Sequence, residues 1–397
     1  MTTMKLNNNR VSLVAVVAAV VASLITGLAQ ALVISDHGGE RPGDRTVSAK
    51  LFSDLEELAR LVDISYCVGS TGVYNPFKCL SHCDEFEGFE LITTWNTGPL
   101  LSDSCGYIAL SHPPYAKRII VAFRGTYSLT NTIVDLSTVP QEYVPYPTGD
   151  DDDDDIFTTS DTATTKKCDN CTIHSGFWSS WKNSRSVILP AVLHAKREYP
   201  DYQVVLVGHS LGGAVAALAG LEMNLRGLDP QVTTFGEPKV GNGEFSGFIN
   251  AAFGLSSSPP ASRHRYRRVT HVNDPVPLLP LKEWGYASHS GEIYISKLSL
   301  PPSIDDLEIC EGDEDERCIA GAETADLLNH VITQTTAPAA SPLLSPQQQQ
   351  LAGEEMQMQM SLIPAKYRLW ELFFSHRDYF WRIGLCVPGG DPGSWRW

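Results

Sequence analysis

The chain has 397 residues, 43% of them apolar, enough to bury a sizeable core, and it exceeds one average domain while staying within the range of a large α/β unit. Thirty Lys and Arg against 46 Asp and Glu give a formal charge of −16. Nucleic acid is excluded as a partner on that balance, because phosphate binding needs a basic surface. Docking on anionic membranes by charge alone is disfavoured for the same reason.

At the N-terminus, Lys5 and Arg10 precede an uncharged apolar run from Val11 to Leu28, and Ala29-Gln30-Ala31 supplies a small-x-small cleavage pattern. This predicts a signal peptide over 1–31 and export to the extracellular space, with an uncleaved signal anchor as the alternative. After cleavage the chain would hold no transmembrane span, and residues 32–397 would form one domain. Nine cysteines in an exported chain point to disulfides rather than metal sites. Cys168-x-x-Cys171 has no second pair at zinc-ribbon spacing, and an odd count leaves at least one thiol unpaired or intermolecular.

Residues 48–64 carry Leu51, Leu55, Leu58, Ala59 and Val62 at helical spacing. Residues 118–123 (RIIVAF) are β-rich and end in the turn Arg124-Gly125-Thr126. Six consecutive Asp at 150–155 lie in a solvated insertion over 147–167, since like charges do not pack together; a calcium site there lacks EF-hand spacing. Residues 174–199 read as a long helix interrupted or ended near Pro190. A strand over 203–207 and a small-residue helix over 211–225 follow, then strands at 232–235, 267–272 and 292–295. Strands alternating with helices imply a mostly parallel sheet covered on both faces. The Pro-, Ala-, Ser- and Gln-rich stretch 333–360 reads as a surface excursion.

The chemistry concentrates in Val204-Val205-Leu206-Val207-Gly208-His209-Ser210-Leu211-Gly212-Gly213. A buried strand, Gly-x-Ser-x-Gly and a small-residue helix place the Ser210 hydroxyl on a tight strand-to-helix turn, where a base can reach it. A serine hydroxyl is a weak nucleophile and needs a base and an orienting carboxylate. On this elbow the chain order is Ser, then acid, then His. Asp274, in the turn Asn273-Asp274-Pro275 after the strand at 267–272, fits the acid, and His289, His330 and His376 remain open for the base. The backbone N–H of Leu211, at the helix N-terminus, fits an oxyanion donor. His209 reads as a packing residue of the elbow.

The segments VAFRGT (121–126), HSGF (174–177), VGHSLGGA (207–214), FGEPKVGN (235–242), NDPVPLLP (273–280) and HRDYF (376–380) together resemble the fungal class 3 lipases, a family that includes triacylglycerol lipases and feruloyl esterases. The resemblance covers roughly residues 50–390. It implies an α/β-hydrolase fold with a lid over the active site, Ser210 as nucleophile, Asp274 as orienting acid and His376 as general base. His289 then resembles the family's structural histidine and stays the second choice. Thr126 joins Leu211 as oxyanion donor by the same resemblance. A lid follows at 127–135, with Tyr127, Leu129, Ile133 and Val134 as its apolar residues; it lacks the tryptophan of the lipase pattern, and Thr130-Asn131 resembles the feruloyl esterase version. The family's disulfides correspond to Cys67 with Cys386, Cys79 with Cys83, Cys168 with Cys171 and Cys310 with Cys318, leaving Cys105 free. The first closes a loop long enough to constrain the unfolded chain by about 4–5 kcal/mol. Asn170-Cys171-Thr172 is formally a glycosylation sequon with a half-cystine at its centre.

The resulting expectation is a secreted serine esterase that hydrolyses acylglycerol esters through an acyl-enzyme, its substrate a lipid or ester met at a lipid–water interface, with no metal or organic cofactor. A feruloyl or aryl esterase, or a phospholipase, is the alternative within the enzyme class. A catalytically inactive protein that binds lipid or a partner is the alternative from outside it.

Overall fold

The computed structural model describes residues 45–98, 103–126, 143–145, 168–255, 264–321 and 375–388. The expected signal peptide, the lid residues Tyr127, Leu129, Ile133 and Val134, the insertions 147–167 and 333–360, and His330 lie outside the described residues.

Eight strands hydrogen-bond into one sheet whose spatial order follows the chain: β1 (Phe89–Asn96), β2 (Cys105–Ser111), β3 (Arg118–Phe123), β4 (Gln203–His209), β5 (Gln231–Phe235), β6 (Tyr266–His271), β7 (Glu292–Ile295) and β8 (Leu307–Ile309). Strands β3 to β7 run parallel. β1, β2 and β8 add antiparallel edges. The sequence expectations omit these three: β1 is half exposed on an irregular pattern and β8 has only three residues, whereas β2 is buried throughout and was missed without such a cause.

Alternation along the central strands splits the core in two. Ile119, Val121 and Phe123 of β3, with Val204 and Leu206 of β4, face α2 (Ser175–Glu198), α3 (Leu211–Leu225) and α4 (Gly243–Phe253). Ile120, Ala122, Val205 and Val207 face the other way, onto α1 (Ala49–Ser65). The Ser48 hydroxyl starts α1 by accepting from Leu51 N at 3.2 Å.

The expected break near Pro190 does not occur: α2 continues through it to Glu198. Pro190 sits on the exposed face, where water can take the carbonyl that the missing N–H leaves unpaired. Ile188, Leu189, Val192 and Ala195 keep the opposite face buried.

A small second sheet joins Tyr286–Ala287, Gly241–Asn242, Thr172–His174 and Tyr143–Pro145. Disulfides link Cys67–Cys386, Cys79–Cys83, Cys168–Cys171 and Cys310–Cys318, and Cys105 is a buried free thiol. The first bond ties the end of α1 to the segment 375–388, which carries His376.

Candidate active site

Because β3 to β7 are parallel and in register (Phe123 beside Gly208, His209 beside Phe235, Phe235 beside Val269), the turns that follow them meet along one sheet edge. Those turns carry Thr126, Ser210, Gly236 and Asp274.

Ser210 has φ 58°, a left-handed conformation that a non-glycine residue adopts only when its surroundings impose it. The glycines on either side show what imposes it. A Cβ at Gly208 would come within 2.2 Å of the Gly212 carbonyl, and one at Gly212 within 2.4 Å of the Phe123 carbonyl. Strand and helix therefore close on each other with no room for side chains. Ser210 N donates to Phe235 O at 3.0 Å, fixing the turn to the next strand. The hydroxyl does not cap α3. It is buried and has no hydrogen-bond partner among the described residues. Leu211 opens α3, so its N–H is among the donors that no helical carbonyl reaches. Gly125 packs directly on this elbow: a Cβ there would lie 2.9 Å from Ser210 Cβ. That contact sets the half-buried Thr126, the next residue, beside the same bend.

Asp274 closes the turn after β6, its N–H on His271 O at 3.0 Å. Its carboxylate is fully buried and accepts from three donors. Val276 N reaches Oδ1 at 2.9 Å, the Tyr379 hydroxyl reaches Oδ2 at 2.5 Å, and His376 Nδ1 lies 2.9 Å from both oxygens. With Nδ1 donating to a carboxylate, Nε2 of His376 presents a lone pair. That atom is buried, and like Ser210 Oγ it has no partner among the described residues. Ser210 Oγ and His376 Nε2 are therefore both unengaged, as often holds before substrate tightens such contacts.

The imidazole is held from behind. His209 stacks on it, ring centroids 4.6 Å apart, and His209 Nε2 donates to the His376 carbonyl at 2.8 Å. A carbonyl only accepts, so His209 Nδ1 is the acceptor for the Tyr66 hydroxyl at 2.6 Å. Burial, with the nearby His376, pushes His209 well below the ordinary histidine range, so it stays neutral in this role. Burial and the Asp274 charge likewise push the Tyr379 hydroxyl well above the ordinary tyrosine range, so it stays a donor.

His289 does not join this group. Its Nε2 faces Glu237 Oε1 at 3.1 Å and its Nδ1 faces Ser290 O at 2.8 Å. Three contributors went unread in the sequence: Tyr379, Tyr66 and Gly236. Tyr379 lies within HRDYF, three residues after His376, and that spacing is the one signal that could have pointed to it.

A family model described as "Lipase (class 3)" matches residues 120–284. The chain is 52% identical over 374 residues to "Lipase A" of Sodiomyces alcalophilus, covering 88% of this chain and 86% of that protein. It is 48% identical over 372 residues to "Secreted mono- and diacylglycerol lipase 2" of Gibberella zeae, covering 89% and 86%. Among solved structures it is similar to Lip2 lipase from Yarrowia lipolytica, with a TM-score of 0.65 and 28% identity over 86% of this chain and 97% of that one.

Proposed function

The chain belongs to the class 3 lipase family, and from that membership we propose how its residues divide the work of hydrolysing an ester. It is a secreted carboxylic ester hydrolase acting on acylglycerols. Ser210 Oγ attacks the ester carbonyl as His376 Nε2 takes its proton. Asp274 keeps the other imidazole nitrogen protonated and stabilises the charge that the ring acquires. The oxyanion of the tetrahedral intermediate is received by the N–H of Leu211 and by Thr126, each donor supplying about 2.7–4 kcal/mol on the scale of such sites. Collapse expels the glyceride alkoxide, which takes the proton from His376 and leaves an acyl-Ser210 ester. Water then attacks this ester, giving its proton to His376 and releasing the fatty acid, and Ser210 recovers its hydrogen.

The observation that carries this reading is the pairing of His376 with Asp274, with Nε2 of the imidazole and Oγ of Ser210 both buried and unengaged. We place the substrate at a lipid–water interface, with mono- and diacylglycerols tested beside triacylglycerols because the Gibberella relative is named for them. The test compares fatty-acid release from emulsions of the three acylglycerols with release of ferulate from its methyl ester, for wild type and for Ser210→Ala. Acylglycerol hydrolysis abolished by Ser210→Ala supports the reading. Activity that survives the substitution, or turnover confined to the ferulate ester, overturns it.

A further inference from the structure

Asp63 is the one acid on the buried face of α1, 1% exposed, in a run where Leu61, Val62 and Ile64 are all core residues. An unpartnered carboxyl there would be strongly destabilising. Its partners come from two other parts of the chain. The Ser81 hydroxyl donates to Oδ2 at 2.5 Å and the Gly384 N–H donates to Oδ1 at 2.6 Å, while His82 Nε2 stands 3.9 Å away. Burial pushes the Asp63 carboxyl above its ordinary range despite these donors.

Gly384 leads back to the reacting centre. Its neighbour Ile383 donates its N–H to Arg377 O at 2.9 Å, and Arg377 adjoins His376. Inside that loop Tyr379 N donates to Trp381 O at 3.1 Å, and Arg382 Nε pairs with Asp378 at 2.8 Å. The loop is closed on itself and is anchored to α1 by the Cys67–Cys386 bond and, nearer to His376, by the Asp63 carboxylate. We propose that Asp63 is a positioning residue for ester hydrolysis, holding His376 against Asp274 through the Gly384 backbone and the loop that it closes. This rests on the reading of His376 as the general base. A displacement of about 1 Å at such a group costs on the order of a hundredfold in rate, so one anchor on a short loop is enough to matter.

The experiment measures kcat and KM on a soluble short-chain p-nitrophenyl ester for wild type, Asp63→Ala, Asp63→Leu, Asp63→Asn, Ser81→Ala and His376→Ala. Each is assayed well below its own unfolding temperature. Asp63→Ala is expected to lose about ten- to a hundredfold in kcat with KM within about twofold, since the substrate pocket is untouched. Asp63→Leu keeps the branched outline without the acceptors, is expected to behave alike, and is the variant read if Asp63→Ala does not accumulate. Asp63→Asn keeps an acceptor for Gly384 and should recover most of the rate. Ser81→Ala removes a different partner of the same carboxylate and should lower stability while leaving kcat within about twofold. A folded Asp63→Ala or Asp63→Leu with wild-type kcat, beside an inactive His376→Ala, overturns this proposal alone. Full activity in His376→Ala overturns the base assignment beneath it.

Discussion

The hydroxyl of Tyr379 and the imidazole of His376, three residues apart on one segment, converge on the same carboxylate of Asp274 from 2.5 and 2.9 Å. The tyrosine thus occupies a lone pair that the imidazole would otherwise leave to be satisfied elsewhere. A hydrogen bond to a charged group contributes about 1.5–3 kcal/mol. Tyr379→Phe is therefore expected to destabilise the fold by about 2 kcal/mol and to lower kcat by up to about tenfold. Urea unfolding and short-chain ester kinetics check both. Unchanged values in the two assays would leave the hydroxyl without a role.

Gly236 has φ 58°, and a Cβ there would sit 2.7 Å from His376 Cε1 and from the Tyr379 hydroxyl, and 2.9 Å from Asp274 Oδ2. Gly236→Ala is expected to push the imidazole off its place and cost about a hundredfold in kcat. The protein should still fold, which circular dichroism of the purified variant would establish. A variant within about threefold of wild type would mean that the imidazole tolerates the displacement.

Burial holds the His174 imidazole at a pKa of about 4, against 6.5 for the ordinary side chain. The unfolded chain takes up this proton at the higher pH, so it binds more protons than the folded one between the two values. Stability accordingly falls as pH drops from about 6.5 towards 4, by at most about 3 kcal/mol from this group. His174 also caps α2 by accepting from Gly176 N at 3.0 Å, a task that asparagine can perform. His174→Asn is expected to flatten the pH dependence of the urea midpoint between pH 4.5 and 7. A slope as steep as wild type would assign the acid sensitivity to other groups, of which the buried His209 is the first.

The Cys67–Cys386 bond closes a separation of 319 residues. On the loop-entropy account, Cys67→Ser with Cys386→Ser costs about 6 kcal/mol. Denaturant unfolding of the double variant tests this. A loss under about 1 kcal/mol would place the constraint in contacts that survive without the bond.

The elbow at Ser210 was readable because its cause is local: a strand, two glycines that let backbones touch, and a small-residue helix, all within about twenty residues. Strands β3, β4 and β5 were readable for the same reason, as apolar or β-branched runs between turns, and β6 and β7 as short β-prone stretches in the same alternation. The partner of Asp274 was not readable from local pattern. His289 lies between two serines, His330 ends a helical stretch and His376 sits in an aromatic-rich one, and family resemblance, not spacing, favoured the last. Tyr379 acts on a residue 105 positions away, a separation that no periodicity encodes. Asp63 looks in sequence like a polar interruption of an amphipathic helix, because its partners lie 18 and 321 residues further on. Pro190 misled in the opposite sense: a local rule for breaking helices yielded to a buried face on either side of it.

The imidazole facing Asp274 arrives at position 376 of 397 and is moored to a helix made some three hundred residues earlier. On the proposed reading, a polypeptide without the segment 375–388 would keep its serine bend and its orienting acid yet stay inert, for want of the group that draws off the serine proton.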